Sequence, residues 1–179
     1  MTGTGYSVCV CARTVGAMSY PDPRYLGSGG EVTATFRPAD TAPDLPRPGG
    51  AASYLATGAT TRGKFGLYRW DMGPELGGAQ AHFHRTITES FFVLSGTVKL
   101  YDGKEWLDGH PGDFAFVPEG GLHGFRNESG EPASLLILFA PGAPREAYFE
   151  GLVEIAEGRW KPTHEELVAF LEEHDNIYV

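Results

Sequence analysis

The chain has 179 residues, 41% of them hydrophobic and 21% charged, which suits one globular domain with a buried core. Its 14 basic and 23 acidic residues leave a net charge of −9, and an acidic surface argues against nucleic acid or an anionic membrane as a partner. No apolar run reaches the length that spans a bilayer.

The 25 glycines and 13 prolines, with 11 Phe, 8 Tyr and 3 Trp, predict short strands joined by tight turns. Cys9 and Cys11 are too close along the chain to pair well. They read as two free thiols of a reducing, cytoplasmic protein, and no basic-then-apolar leader opens the chain. Met18-Ser19-Tyr20-Pro21 reads as a natural start, so residues 1–17 are expected to be a disordered N-terminal extension.

Residues 18–63 are expected to form an arm and the first strands. A strand is predicted over Glu31–Arg37, a proline-rich loop over Pro38–Gly50 and a weaker strand over Ala52–Ala56. Residues 64–140 carry the regular pattern. Lys64–Met72 is a strong strand with aromatic residues on both faces, so one face is expected against the interior and the other against a second sheet or another subunit, and a homodimer is expected. Ala79–His84, Glu89–Tyr101, Lys104–Leu107, Phe114–Pro118, His123–Asn127 and Ala133–Ala140 follow as strands, with Asp102-Gly103 a hairpin signal. From residue 141 the pattern turns helical. Pro144 opens one helix to Glu157, and the capping box Thr163–Glu166 opens another to about Glu173. The fold class is all-β, a barrel or sandwich with C-terminal helices packed outside.

Four side chains between Gln80 and Asn127 can ligate a metal: His82, His84, Glu89 and His123. Residues two apart on a strand share a face, so both imidazoles of His82 and His84 reach one ion. Glu89 is an odd five positions further on. The chain must therefore bend within 85–88, or Glu89 must lie in the next strand. His123 follows a Gly-Gly turn that can return it to the same cavity. Three imidazoles and a carboxylate suit one divalent transition metal (Fe, Mn, Ni, Co, Cu or Zn) with open positions. His110, His164 and His174 read as surface residues.

His82-x-His84-x4-Glu89-x6-Gly96 resembles the first motif of the cupin family, and Gly112-x5-Pro118-x-Gly120-x2-His123-x3-Asn127 its second. The glycine that opens the first motif is replaced by Leu76, with Gly77 and Gly78 just after. The resemblance implies a cupin (jelly-roll) β-barrel over 64–140, with 18–63 before it, the helical segment 141–179 after it, and a metal on the four ligands.

The whole chain is similar to single-domain quercetinase-like cupins. That likeness implies a metal-dependent, ring-cleaving dioxygenase acting on a small, oxygen-chelating substrate, with Glu89 as catalytic base. A cupin isomerase or polyketide cyclase on the same metal site is the alternative, and a non-catalytic small-molecule-binding cupin is a third. Strand parity with the ligands picks out Phe91 and Phe125 as substrate-binding, and Tyr68, Phe114 and Phe116 are further candidates. An aromatic cavity with few charges is expected, which favours an apolar or aromatic substrate.

Overall fold

Strand alternation places one set of side chains between two sheets and the other set outside them. A computed structural model describes residues 20–179. The expected extension over 1–17, with Cys9 and Cys11, lies outside the described residues. Two units divide the chain at Phe36, and the second, 37–179, holds every strand and helix described below.

Its strands are β1 (Leu45–Arg47), β2 (Gly50–Ala56), β3 (Gly66–Met72), β4 (Gly77–Phe83), β5 (Thr88–Ser95), β6 (Val98–Tyr101), β7 (Trp106–Gly109), β8 (Phe114–Val117), β9 (His123–Asn127), β10 (Ala133–Ala140) and β11 (Ile177–Tyr178). Two helices, α1 (Glu146–Ala156) and α2 (His164–Glu173), stand between β10 and β11. One sheet has the order β1-β2-β3-β10-β5-β8, the other β11-β4-β9-β6-β7, and every pairing is antiparallel. This is the jelly-roll arrangement, with the helices against the barrel.

The core lies between the sheets. Tyr68, Trp70 and Met72 of β3, Phe91 and Val93 of β5, and Leu135, Ile137 and Phe139 of β10 point into it. The outward residues of β3 are polar at their centre, where Arg69 pairs with Asp71 at 2.9 Å. The apolar outer face of this sheet lies instead on β5 and β8, at Phe92, Leu94, Phe114 and Phe116. From α1, Phe149 reaches the inner-face rings of Tyr68 and Trp70, at 5.1 and 5.0 Å between centroids. α2 opens with the expected capping box at Thr163 and Glu166.

Three local expectations change. Glu31–Arg37 forms no strand, although its alternation suits one, because a strand needs a partner ladder. The proline-rich stretch after it contains one instead. β1 pairs with β2 at the sheet edge, where Pro46 is tolerated. The run Glu89–Tyr101 is two strands, broken at Gly96.

Gly96 has φ +71°, and a Cβ there would stand 2.4 Å from the Pro132 carbonyl oxygen. Gly112 has φ +98° with open space around it. Both substitutions to Ala carry backbone strain of roughly 1–3 kcal/mol, but only Gly96→Ala adds a clash with fixed backbone. We expect Gly96→Ala to lower the melting temperature clearly more than Gly112→Ala in thermal denaturation. Equal effects would show that the Pro132 contact is immaterial.

Candidate metal centre

β4 and β9 are neighbours, and a bulge in their pairing between Ala79 and His82 sets His82 directly opposite His123. His84 follows at the end of β4. The chain then crosses to the other sheet, where Glu89 is the second residue of β5. The bend that parity required is therefore a change of sheet. It delivers the carboxylate to the imidazoles from across the barrel.

All four side chains are buried; His84, His123 and Glu89 are 2%, 1% and 3% exposed. One ligand atom from each lies within 4.8 Å of all the others. Glu89 Oε2 is 2.9 Å from His84 Nε2 and 2.7 Å from His123 Nε2. The His82 ring centroid lies 4.9 Å from that of His84 and 4.3 Å from that of His123.

Every imidazole is oriented by a backbone carbonyl. His82 Nδ1 is 2.8 Å from the Gln80 oxygen, His84 Nδ1 2.5 Å from that of Asp175, and His123 Nδ1 2.8 Å from that of Gly121. A carbonyl only accepts, so each Nδ1 carries the hydrogen and each neutral ring turns its Nε2 lone pair inward. Lone pairs facing a carboxylate oxygen at these distances repel unless a proton or a cation sits among them. Ligand atoms about 2.0–2.2 Å from an ion stand at such separations from one another. The four residues fit a divalent metal and can hold one.

The protonation states agree. Burial lowers the His82 pKa to about 4, leaving it neutral near pH 7. Burial opposes ionisation of Glu89, but contacts with His123 and His84 outweigh it and hold the carboxyl well below the usual range. Burial disfavours charge on His123 as well, yet the Glu89 contact raises its pKa above the ordinary value.

The C-terminal residues complete the site, and sequence reasoning missed them. Besides the carbonyl that holds His84, the Asp175 carboxylate accepts from the Arg85 and Thr86 amides and the Thr86 hydroxyl at 2.7–3.0 Å. It thereby fixes the bend before Glu89. Tyr178 stacks on His82 at 5.3 Å. The only local signal would be a residue tolerant of positive φ after a helix; Asp175 has φ +55°.

Two cavities flank the cluster. One, of about 380 Å³, is lined by His123, Phe91, Leu100, Leu107, Phe114 and Phe116. The other, of about 250 Å³, lies beneath α1 and is lined by Glu89, Phe125, Phe139, Trp70 and Arg145. Phe91 stands 5.9 Å from the His123 ring and 5.5 Å from Phe125. Phe114 and Phe116 are 64% and 59% exposed and reach only the rim of the larger cavity. Tyr68 sits in the core, with its hydroxyl donated to Glu146 at 2.6 Å. The expectation of few charges does not describe the smaller cavity, since Arg47 and Arg145 both line it. Arg145 lies outside both motifs, and nothing in its neighbourhood in sequence signals burial.

Asp175→Ala removes the carboxylate that fixes the bend and strains a left-handed backbone position. We expect it to weaken metal binding about tenfold or more, measured by competition with a chromogenic chelator. Unchanged affinity in a folded variant would separate the C-terminal residues from the site.

Residues 68–139 match the Cupin_2 family, described as a cupin domain. An uncharacterised protein of Aquifex aeolicus (strain VF5) is 40% identical over 60 residues, 34% of this chain and 49% of that one. A quercetin 2,3-dioxygenase of Bacillus subtilis (strain 168) is 29% identical over 98 residues, 55% of this chain and 28% of that one. The chain thus matches about half of the first relative and under a third of the second. Among solved structures, the polyketide cyclase RemF of Streptomyces resistomycificus has a TM-score of 0.49 at 23% identity, covering 63% of this chain and 82% of its own. Ectoine synthase of P. lautus has a TM-score of 0.49 at 15% identity, covering 64% and 80%.

Proposed function

Residues 68–139 match the cupin family, and from that premise we propose a metal-dependent enzyme acting on a small aromatic, oxygen-chelating substrate, a quercetinase-like ring-cleaving dioxygenase. The observation that carries this reading is the buried convergence of three carbonyl-oriented Nε2 atoms and Glu89 Oε2 within 4.8 Å. The partial likeness to a quercetin 2,3-dioxygenase supports the dioxygenase form.

A divalent metal on these ligands would supply Lewis acidity toward a chelating substrate oxygen. The chain's own residues do the rest. Glu89 is ionised, so an oxygen of its carboxylate accepts the proton of a substrate hydroxyl. Phe91 walls the larger cavity beside His123 and Phe125 the smaller one beside Glu89, and each offers an aromatic face to a planar substrate. Phe114 and Phe116 guard the rim of the larger cavity, and Tyr68 backs the wall from the core.

The test is metal analysis of protein purified without a chelating tag, followed by substrate screening under air and under nitrogen. Stoichiometric metal, with O2 uptake on flavonols or other enediols, is expected. Turnover under nitrogen would move the assignment to an isomerase or cyclase, and binding without product to a non-catalytic cupin. Glu89→Gln is expected to lower turnover about 100-fold or more while reducing metal content less. Equal loss of both makes Glu89 a ligand alone.

We also place a second copy of the chain against the outer face of β5 and β8, because Phe92, Leu94, Phe114 and Phe116 leave an apolar patch there. Sedimentation is expected to give twice the chain mass of 19.3 kDa, and Phe116→Asp to return it toward monomer. A wild-type monomer at micromolar concentration overturns the placement.

A further inference from the structure

The cavity beneath α1 holds positive charge that Glu89 and Asp175 favour only from a distance, without an ion pair. Arg145 is 3% exposed. Its Nη1 donates to the His174 carbonyl and its Nη2 to Asn176 Oδ1 at 3.2 Å, which clamps the C-terminal residues. Its Nε has no acceptor among the described residues. No carboxylate of the described residues stands within ion-pair distance of it. Its charge is met instead by aromatic faces, with Tyr148 and Phe139 at 4.4 and 4.9 Å.

Two more donors line the same cavity. Trp70 Nε1 and Arg47 Nε are buried and without acceptors among the described residues, and the Arg47 guanidinium lies 4.4 Å over the Trp70 ring. A buried charge without a partner is costly, and so is a buried N–H without an acceptor. Clamping the C-terminus accounts for the Nη atoms of Arg145. It leaves unexplained the Nε, the missing counter-charge and the two neighbouring donors. Glu89 also borders the cavity, but Oε2 is engaged by His84 and His123. A divalent ion on those ligands would add positive charge rather than offset it.

We propose that this cavity binds an aromatic acid, with its carboxylate on Arg145 as counter-ion, its ring against the aromatic walls, and Trp70 Nε1 and Arg47 Nε as further donors on the same lining. A carboxylate oxygen accepts, so the unpartnered Nε–H of Arg145 can donate to it. The walls of Phe125, Phe139 and Phe149 take the ring. An apolar cavity of about 150 Å³ already accepts benzene, so about 250 Å³ has room for a ring and its carboxylate. This sharpens the substrate class proposed above, on which it rests for its link to turnover; the binding itself stands on the cavity alone.

The test uses the full-length, metal-free, ¹⁵N-labelled protein, with benzoate as probe and benzamide as its neutral counterpart. The chain has three tryptophans, and the Trp70 indole N–H signal is assigned by its loss in Trp70→Phe. Benzoate is expected to shift the Trp70 signal and not those of Trp106 and Trp160, and to bind about tenfold or more tighter than benzamide. Arg145→Gln is expected to abolish that preference. Because Arg145 also clamps the C-terminus, Arg47→Gln serves as the second variant, weakening benzoate several-fold without touching the clamp. Equal affinity for the two probes in the wild type overturns the proposal, as does a benzoate response unchanged in both variants. Selective benzoate binding by a protein that takes up no metal leaves this proposal and removes the enzymatic one. Turnover of neutral enediols with no selective benzoate binding does the reverse.

Discussion

The candidate metal centre depends on three backbone carbonyls. Each accepts an Nδ1–H, and by doing so turns an imidazole lone pair inward. The carbonyls come from Gln80, Gly121 and Asp175. The first two lie two residues before the histidine they hold, so the local turn that places His82 or His123 also sets its tautomer. The third lies 91 residues away. His84 is thus oriented only when the C-terminus has docked, which ties a local property of the site to completion of the whole fold.

The C-terminal residues serve two neighbouring groups at once. Asp175 holds His84 and the bend before Glu89, while the adjoining His174 carbonyl and Asn176 side chain receive Arg145. β11 then pairs with β4 beside His82. The four candidate ligands and the buried guanidinium therefore share one short segment as support. A disturbance at either is transmitted through a few residues of backbone, without any long pathway.

Charge divides the barrel interior unequally. Glu89 is a lone carboxylate beside the imidazoles, and its contacts with His123 and His84 hold its pKa below the usual range. Arg145 is a cation among aromatic rings, and burial lowers its pKa. Aromatic faces attract a cation without neutralising it.

Local geometry is what the sequence by itself determined. The period of two placed His82 and His84 on one face, the odd spacing forced a bend before Glu89, and the runs His123–Asn127 and Ala133–Ala140 are the strands observed, end for end. The capping box likewise depends on neighbours three residues apart. Tertiary structure alone decided the rest. Leu45–Arg47 became a strand because β2 offered it a ladder, while Glu31–Arg37, with better propensity, remained without one. Asp175 and Arg145 acquired their roles from groups about 30 to 90 residues away, a distance at which no periodicity carries information. Side-chain spacing reports the backbone's local repeat; which carbonyl or carboxylate a buried donor meets is set only when the sheets close on each other.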